Sequence, residues 1–357
     1  MCSFSALSHS LPSQQRWTVA AQPTLEIPAT SSNGDVQFEH AVSATRLRSG
    51  EIIVADGAAG MLRVFDGIGR PSRTVGRRGS GPGEFQYIGW MGPCGGDSIV
   101  VWDFMQRRLT FLDASVRLGR QTPSVAGVNP FTIACSASAG VIAAHAWSSP
   151  PRPDGPVFRS RAPLVLLDRS ATVTRTIDTV ASGEMAIIGG GAGPRPLGKY
   201  THLAMSRAAL YVATGDSAKI LVFAPNGASL GAIGTDVVRT APTAPQINRA
   251  VESAVAFGPK AIRDRLRPAM RALAPPAQLP PFSGILVDAR DVLWVVLTFP
   301  GEGTTRLRAL STRGSTLAEV RVPADLTVFE IGRNYILGLH ETADGEQFVR
   351  QYELRRR

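Results

Sequence analysis

At 357 residues, with 44% hydrophobic residues, 36 Gly and 26 Pro, the chain is a turn-rich folded protein rather than a disordered one, and it exceeds the usual single domain unless it is one large all-β or α/β architecture. No apolar run approaches twenty residues, so no transmembrane helix is expected. The formal charge of +10 is almost all arginine, with Lys only at 199, 219 and 260, and it is too scattered for the focused basic face that nucleic-acid binding needs.

Residues 1–16 read as a flexible polar leader. The start, MCSFSALSHSLPSQQRWTV, lacks a basic n-region and a sustained apolar core, so it does not read as a secretory signal unless the true start lies upstream. WTVAAQPTLEI (17–27) contains an isolated strand. A repeating unit follows: QFEHAVSAT (37–45), a turn at Arg48-Ser49-Gly50, IIVAD (52–56), a loop, MLRVFD (61–66), the turn Gly67–Gly69, and SRTVG (72–76). Alternation, β-branched residues and Gly/Asp turns at this spacing predict antiparallel strands.

The second unit is YIGWMGPC, GGD, SIVVWD, RLTFLD, RLGRQ (87–121), and the aspartates keep their spacing, with Asp56 before Asp66 and Asp103 before Asp113. The third is FTIACS, GVIAAHA, PLVLLD, TVTRTID (131–178), interrupted by a Pro-rich loop over Trp147–Ala162. The fourth is HLAMS, ALYVATGD, KILVFA, SLGAIG (202–234). A different segment occupies 238–282, and the fifth unit then runs from GILVD to TLAEVRVP (284–323). The sixth, LTVFEIG, YILGLHE, QFVRQYEL (326–354), ends one strand short.

Repeats of this length with four strands each predict an all-β fold, a six-bladed β-propeller, five or seven blades being the alternatives. WTVAAQPTLEI supplies the missing strand and closes the ring, so that 17–357 forms one domain with an insertion between blades 4 and 5. GEIIVADGAAGMLRVFDGIGRPSRTVGRRGSGPGEF resembles an NHL-type repeat, and the whole chain resembles a bacterial family of six-bladed β-propeller proteins. The first repeat carries most of the likeness; the others follow mainly by strand spacing. The resemblance implies a propeller and an exported, periplasmic or envelope location. It implies no particular activity.

In a propeller the A–B and C–D turns lie on one face and the B–C and D–A connections on the other. Here every long segment, Gly76–Phe85, Trp147–Ala162, Ala181–Tyr200 and Val238–Phe282, is of the second kind, so function is expected on that face and at the channel mouth beneath it. The candidate ligand-binding residues there are His40, Asp56, Tyr87, Asp103, Tyr200 and His202. His40 and His202 open inner strands of opposite blades and read as polar lining, ligand contacts or metal ligands. No third ligand is evident, and no metal or cofactor is expected. Asp56 and Asp103 read chiefly as caps of the B–C loop backbone.

Gly79–Phe85 lacks the helix a phosphate loop must open and reads as a blade-to-blade corner with Phe85 as its plug. In 260–274, KAIRDRLRPAMRALA, Ile262, Leu266, Met270 and Leu273 form an apolar stripe flanked by Arg263, Arg267 and Arg271, with Pro268 expected to kink or split the helix. INRAVESAVAF before it reads as a second short helix. This insertion is expected to pack as a lid over the channel, with a partner or membrane surface as the lesser reading. Cys94 and Cys135 end the inner strands of neighbouring blades, positions that pair in an oxidising compartment and stay thiols in a reducing one. The function expected is non-enzymatic binding of a small molecule or partner protein, the alternative being a metal-dependent propeller enzyme of lyase or lactonase type.

Overall fold

Two strands, β1 (Trp17–Val19) and β2 (Leu25–Pro28), precede six antiparallel sheets of four or five strands in a computed structural model that describes residues 17–32, 37–95, 98–123, 129–136, 142–147, 155–255, 260–323, 325–342 and 344–356. The leader 1–16 and residues 148–154 of the Pro-rich loop lie outside the described residues. Sheet 1 is β3 (Ala41–Arg46), β4 (Ile52–Asp56), β5 (Met61–Phe65) and β6 (Pro71–Val75). The corner after it holds the parallel pair β7 (Arg77–Arg78) and β8 (Glu84–Phe85). Sheet 2 is β9 (Ile88–Pro93), β10 (Ile99–Asp103), β11 (Arg108–Leu112) and β12 (Leu118–Gln121). Sheet 3 has five strands, β13 (Asn129–Cys135), β14 (Ile142–Trp147), β15 (Val157–Leu167), β16 (Val173–Ile188) and β17 (Gly191–Pro194). Sheet 4 is β18 (His202–Met205), β19 (Leu210–Ala213), β20 (Lys219–Phe223) and β21 (Ser229–Gly234).

The helices α1 (Ala244–Val255) and α2 (Lys260–Ala272) follow. Sheet 5 is β22 (Gly284–Val287), β23 (Leu293–Val296), β24 (Thr305–Leu310) and β25 (Thr316–Val322), and sheet 6 is β26 (Leu326–Ile331), β27 (Tyr335–Glu341) and β28 (Gln347–Arg356). No described helix is long and apolar enough to cross a membrane.

Burial follows position in the sheet. The second strands β4, β10 and β19 are buried along their whole length, which is why IIVAD and IVVWD read as continuous apolar runs. The fourth strands β6 and β12 are largely exposed and correspondingly polar. Each sheet packs on the next through an apolar cluster. Ile53, Phe85, Met91 and Val101 join sheets 1 and 2, and Trp102, Leu109, Ile133 and Val165 join sheets 2 and 3. Leu164, Leu166, Leu203 and Val212 join sheets 3 and 4, and Tyr211, Phe282 and Val295 join sheets 4 and 5. Trp294, Leu307, Ile336 and Tyr352 join sheets 5 and 6, while Ile52, Phe65, Leu337 and Val349 join sheet 6 to sheet 1. The first strands touch in the same order, with β26 meeting β3. This arrangement is of β-propeller type.

The outer strand of sheet 6 comes from the other end of the chain: β1 and β2 both pair antiparallel with β28, opposite Arg356 and Gln351 respectively. Trp17 lies directly across from Arg356. The Arg356 guanidinium sits 4.9 Å from the Trp17 ring and 5.8 Å from the Trp294 ring, and its Nη2 lies 2.7 Å from the fully buried Asp288 carboxylate. Asp288 also accepts the Trp294 indole N–H at 2.9 Å and the backbone N–H groups of Arg290 and Val292.

Two connections differ from expectation. Parts of Trp147–Ala162 and Ala181–Tyr200 were expected as loops, yet β15 and β16 form a long hairpin that runs past the sheet and adds β17. Its tip is held from outside: Ala186 and Ile188 pack against Val251 and Val255 of α1 and Met270 of α2, a contact remote in sequence. Pro268 sits inside an unbroken α2. It removes the N–H that would bond the Asp264 carbonyl, and α2 is held from outside, Arg267 and Arg271 tying it to Glu252 of α1 at 3.0 and 2.9 Å.

Cys94 and Cys135, at the ends of β9 and β13, are joined in a disulfide with a Cα–Cα distance of 5.3 Å. Gly60 has φ +63° and lies so close to the corner that a Cβ there would stand 2.4 Å from the Phe85 carbonyl oxygen, leaving no room for a side chain.

Removing Arg356 strands a buried carboxylate. Arg356→Ala is expected to cost about 3–5 kcal/mol in urea unfolding, whereas Arg355→Ala, in its exposed pair with Glu353, should leave stability nearly unchanged. Equal, small losses in both variants would show that the closing strand does not depend on this pair.

Candidate functional site

The first strands of the sheets carry the side chains that face inward, and between them lies a cavity of about 1740 Å³. This exceeds the roughly 300–1,000 Å³ of ordinary ligand sites. Its wall takes residues from all six sheets, including Ser43 and Thr45, Met91, Ile133, His202, Ile285 and Glu330. Arg249, Ala250, Ser253 and Ala254 of α1 line one end.

That helix is fastened on two sides. Arg249 Nη2 donates to the Glu341 carbonyl at 3.1 Å, to its carboxylate at 3.2 Å and to the Thr342 carbonyl at 3.2 Å. Gln246 Nε2 donates to Glu302 at 3.0 Å, and Glu302 also accepts the Phe299 N–H. The insertion therefore spans from the sheet 3 hairpin to the connections of sheets 5 and 6.

Three of the residues expected at the mouth, His40, Tyr200 and His202, line the cavity. Asp56, Tyr87 and Asp103 lie outside its lining. Asp56 is fully buried and accepts the backbone N–H groups of Glu39, His40 and Ala59 at 2.9, 3.1 and 3.3 Å. Asp103 does the same for Gln86, Tyr87 and Gln106, at 2.7, 3.4 and 2.9 Å. Each carboxylate thus joins the end of a second strand to the chain entering that sheet, and Asp56 thereby sets the backbone from which His40 projects. The aspartates ten residues further on act differently, since Asp66 and Asp113 accept the N–H groups that close the turns at 67–70 and 114–117. Those bonds, chiefly from the Arg70 and Arg117 backbone, hold both carboxyls below their ordinary range.

Burial lowers the His40 imidazole, opposed by the nearby Asp56 and Glu341 carboxylates. His202 opens partly onto the cavity but is otherwise enclosed by protein, and burial alone pushes it down to about 4. Both rings are therefore neutral at pH 7. Tyr200 donates its hydroxyl to the Arg195 carbonyl at 3.1 Å, and burial raises its phenol. Gln347 links this end of the wall, accepting the Ala41 N–H and donating to Glu341, both at 3.3 Å.

A second polar group escapes the sequence pattern. Glu330 on β26 lies deep between the sheets, although its edge opens on the cavity, and burial raises its carboxyl. It accepts the Thr45 and Tyr335 hydroxyls and the Arg46 N–H, the last at 3.2 Å, across the boundary between sheets 6 and 1. The signal is a lone Glu in the otherwise apolar run LTVFEIG, legible only once the strand is known to face the cavity. Among the described residues, no three His, Cys, Asp or Glu side chains gather where they would hold a metal ion.

No protein-family model matches the chain, and no curated protein matches it either. Solved structures do. A member of the DUF4221 family from Bacteroides vulgatus aligns with 96% of this chain and 100% of its own at 10% identity and a TM-score of 0.57, which shows a shared fold. An exported-protein candidate from Bacteroides fragilis aligns over 96% and 95% at 10% identity, TM-score 0.49. Virginiamycin B lyase from Staphylococcus aureus aligns over 95% and 99% at 8% identity, TM-score 0.44.

The depressed His202 pKa has a defined consequence. The unfolded chain takes up a proton on this residue near pH 6.5, whereas the folded state stays neutral until about pH 4, so stability present above pH 6.5 is lost as the pH falls between those values. His202→Leu is expected to reduce the loss of unfolding free energy between pH 7 and 4.5 by about 2 kcal/mol. Glu330, with a raised carboxyl, acts in the opposite sense and adds stability only on the acid side. Identical pH profiles for wild type and variant would show that His202 titrates normally.

Proposed function

We propose that the six sheets are the blades of a six-bladed β-propeller with NHL-type repeats, closed by the N-terminal strands, and that the molecule is a non-enzymatic binding module whose ligand enters the axial channel beneath the helical insertion. Support for the ring comes from the six inter-sheet clusters, from the meeting of β26 with β3, and from the pairing of β1 and β2 with β28. The observation that carries the binding reading is the cavity of about 1740 Å³, roofed at one end by a helix anchored to three sheets. A rigid ring with one elaborated mouth suits recognition, and the loops and helix at that mouth supply its specificity. The Cys94–Cys135 disulfide supports an oxidising compartment such as the periplasm or cell envelope.

The test is a thermal-shift screen of a small-molecule library against wild type and Ala254→Trp. Ala254 is exposed on α1 and lines the mouth, so a larger side chain there narrows the entrance without entering the core. A true ligand at a hundredfold excess over its Kd stabilises the wild type by about 2.7 kcal/mol and the variant far less. Stabilisers that act equally on both proteins would place binding elsewhere. Turnover of a bound compound by protein carrying stoichiometric metal would replace this reading with that of a metal-dependent lyase or lactonase.

A further inference from the structure

The polar groups around the helix-covered mouth are nearly all committed to one another. Arg249 is paired with Glu341, and Arg195 lies 3.4 Å from the Glu184 carboxylate. Ser283 donates to the Thr298 carbonyl, the Thr298 hydroxyl accepts the Arg306 N–H, and both faces of the Gln347 amide are bonded. The Ser253 hydroxyl on α1, the Asp325 carboxylate, which among the described residues accepts only the Gly301 N–H, and His202 are less committed. Among the described residues the His202 ring has no hydrogen-bond partner, although it lines the cavity and is otherwise enclosed. The cavity wall also takes Leu203 and Phe282, which belong to the buried clusters between sheets 3 and 4 and between sheets 4 and 5.

A neutral imidazole offers one donor and one acceptor. An anionic ligand in this mouth would give up its water and meet no arginine that is not already paired, since Arg249 is held by Glu341 and Arg195 by Glu184, which is costly. An apolar body with a hydrogen-bonding group meets no such penalty. Resting on the channel reading, we infer that the ligand is an uncharged, amphipathic molecule held by a hydrogen bond to His202 beneath α1. The paired arginines of the rim then exclude anionic competitors, and His202 is the point at which the channel distinguishes one neutral ligand from another.

The test uses two fluorescent probes that share a ring system and an N–H donor and differ by one sulfonate: N-phenyl-1-naphthylamine and 1-anilinonaphthalene-8-sulfonate. Titrated into the full-length protein at pH 7, the neutral probe is expected to bind saturably, and the sulfonate at least about tenfold more weakly. His202→Leu should weaken the neutral probe by about 3- to 10-fold, the span of one hydrogen bond, while His202→Gln, which keeps a donor and an acceptor, retains most of the affinity. Ala254→Trp should abolish binding. A sulfonate probe that binds as tightly as the neutral one overturns the ligand class but leaves the channel reading standing. Unchanged neutral-probe affinity in His202→Leu overturns the role of that residue. Neutral-probe binding that is absent, or that survives Ala254→Trp, overturns the channel reading itself.

Discussion

The fold depends on how its last sheet is completed. A chain of consecutive hairpin sheets leaves a bare edge at its end, and here β1 and β2, from the opposite end of the sequence, cover the edge of β28. The join is not merely a ladder. Arg356 lies over both the Trp17 and Trp294 rings, whose centroids are 5.4 Å apart, and against Asp288, so the final strand, the first strand and the neighbouring sheet share one buried charge pair and two aromatic rings. Two of its nitrogens, Nε and Nη1, have no acceptor, and the indole faces are what compensates them. A lone buried ion pair contributes little net stability, but its partners are poorly tolerated alone, and that asymmetry favours the one register that brings all four groups together.

The same economy governs the repeated aspartates. Asp56 and Asp66, and again Asp103 and Asp113, look alike in sequence and are separated by the same interval. The first of each pair is buried and gathers backbone donors from the segment entering its sheet; the second is exposed and closes a turn. Neither reaches the cavity. That space is lined instead by residues that break the repeat, His40, His202 and Glu330, and by an insertion that belongs to no repeat at all. Regular positions hold the scaffold together, and irregular ones face the space where a ligand would sit.

The insertion and the sheet 3 hairpin depend on each other. The stripe on α2 is amphipathic as expected, yet Ile262 is 41% exposed, and Met270, with Val251 and Val255 from α1, carries the packing on Ala186 and Ile188. The Gly- and Ala-rich residues of 181–194 have little reason to form strands by themselves. They do so because the helices bury one side of the hairpin, and the helices hold their place over the mouth because the hairpin and Glu341 receive them.

Periodicity alone determined the sheets, their order, the helical insertion and the pairing of the first strand with the last. These are local patterns, repeated, and each copy reports the others. It also brought His40 and His202 forward as residues opening inner strands, and Tyr200 as the end of a long connection. Only the tertiary structure decided that Asp56 and Asp103, read as caps of the loop that follows them, also hold the chain entering their sheets, that Tyr87 stays out of the lining, that Glu330 belongs to the cavity wall, and that Arg249 pairs with Glu341. Those outcomes rest on contacts between residues tens to hundreds of positions apart, and on whether water reaches a given side chain. Neither is written in the spacing of one repeat.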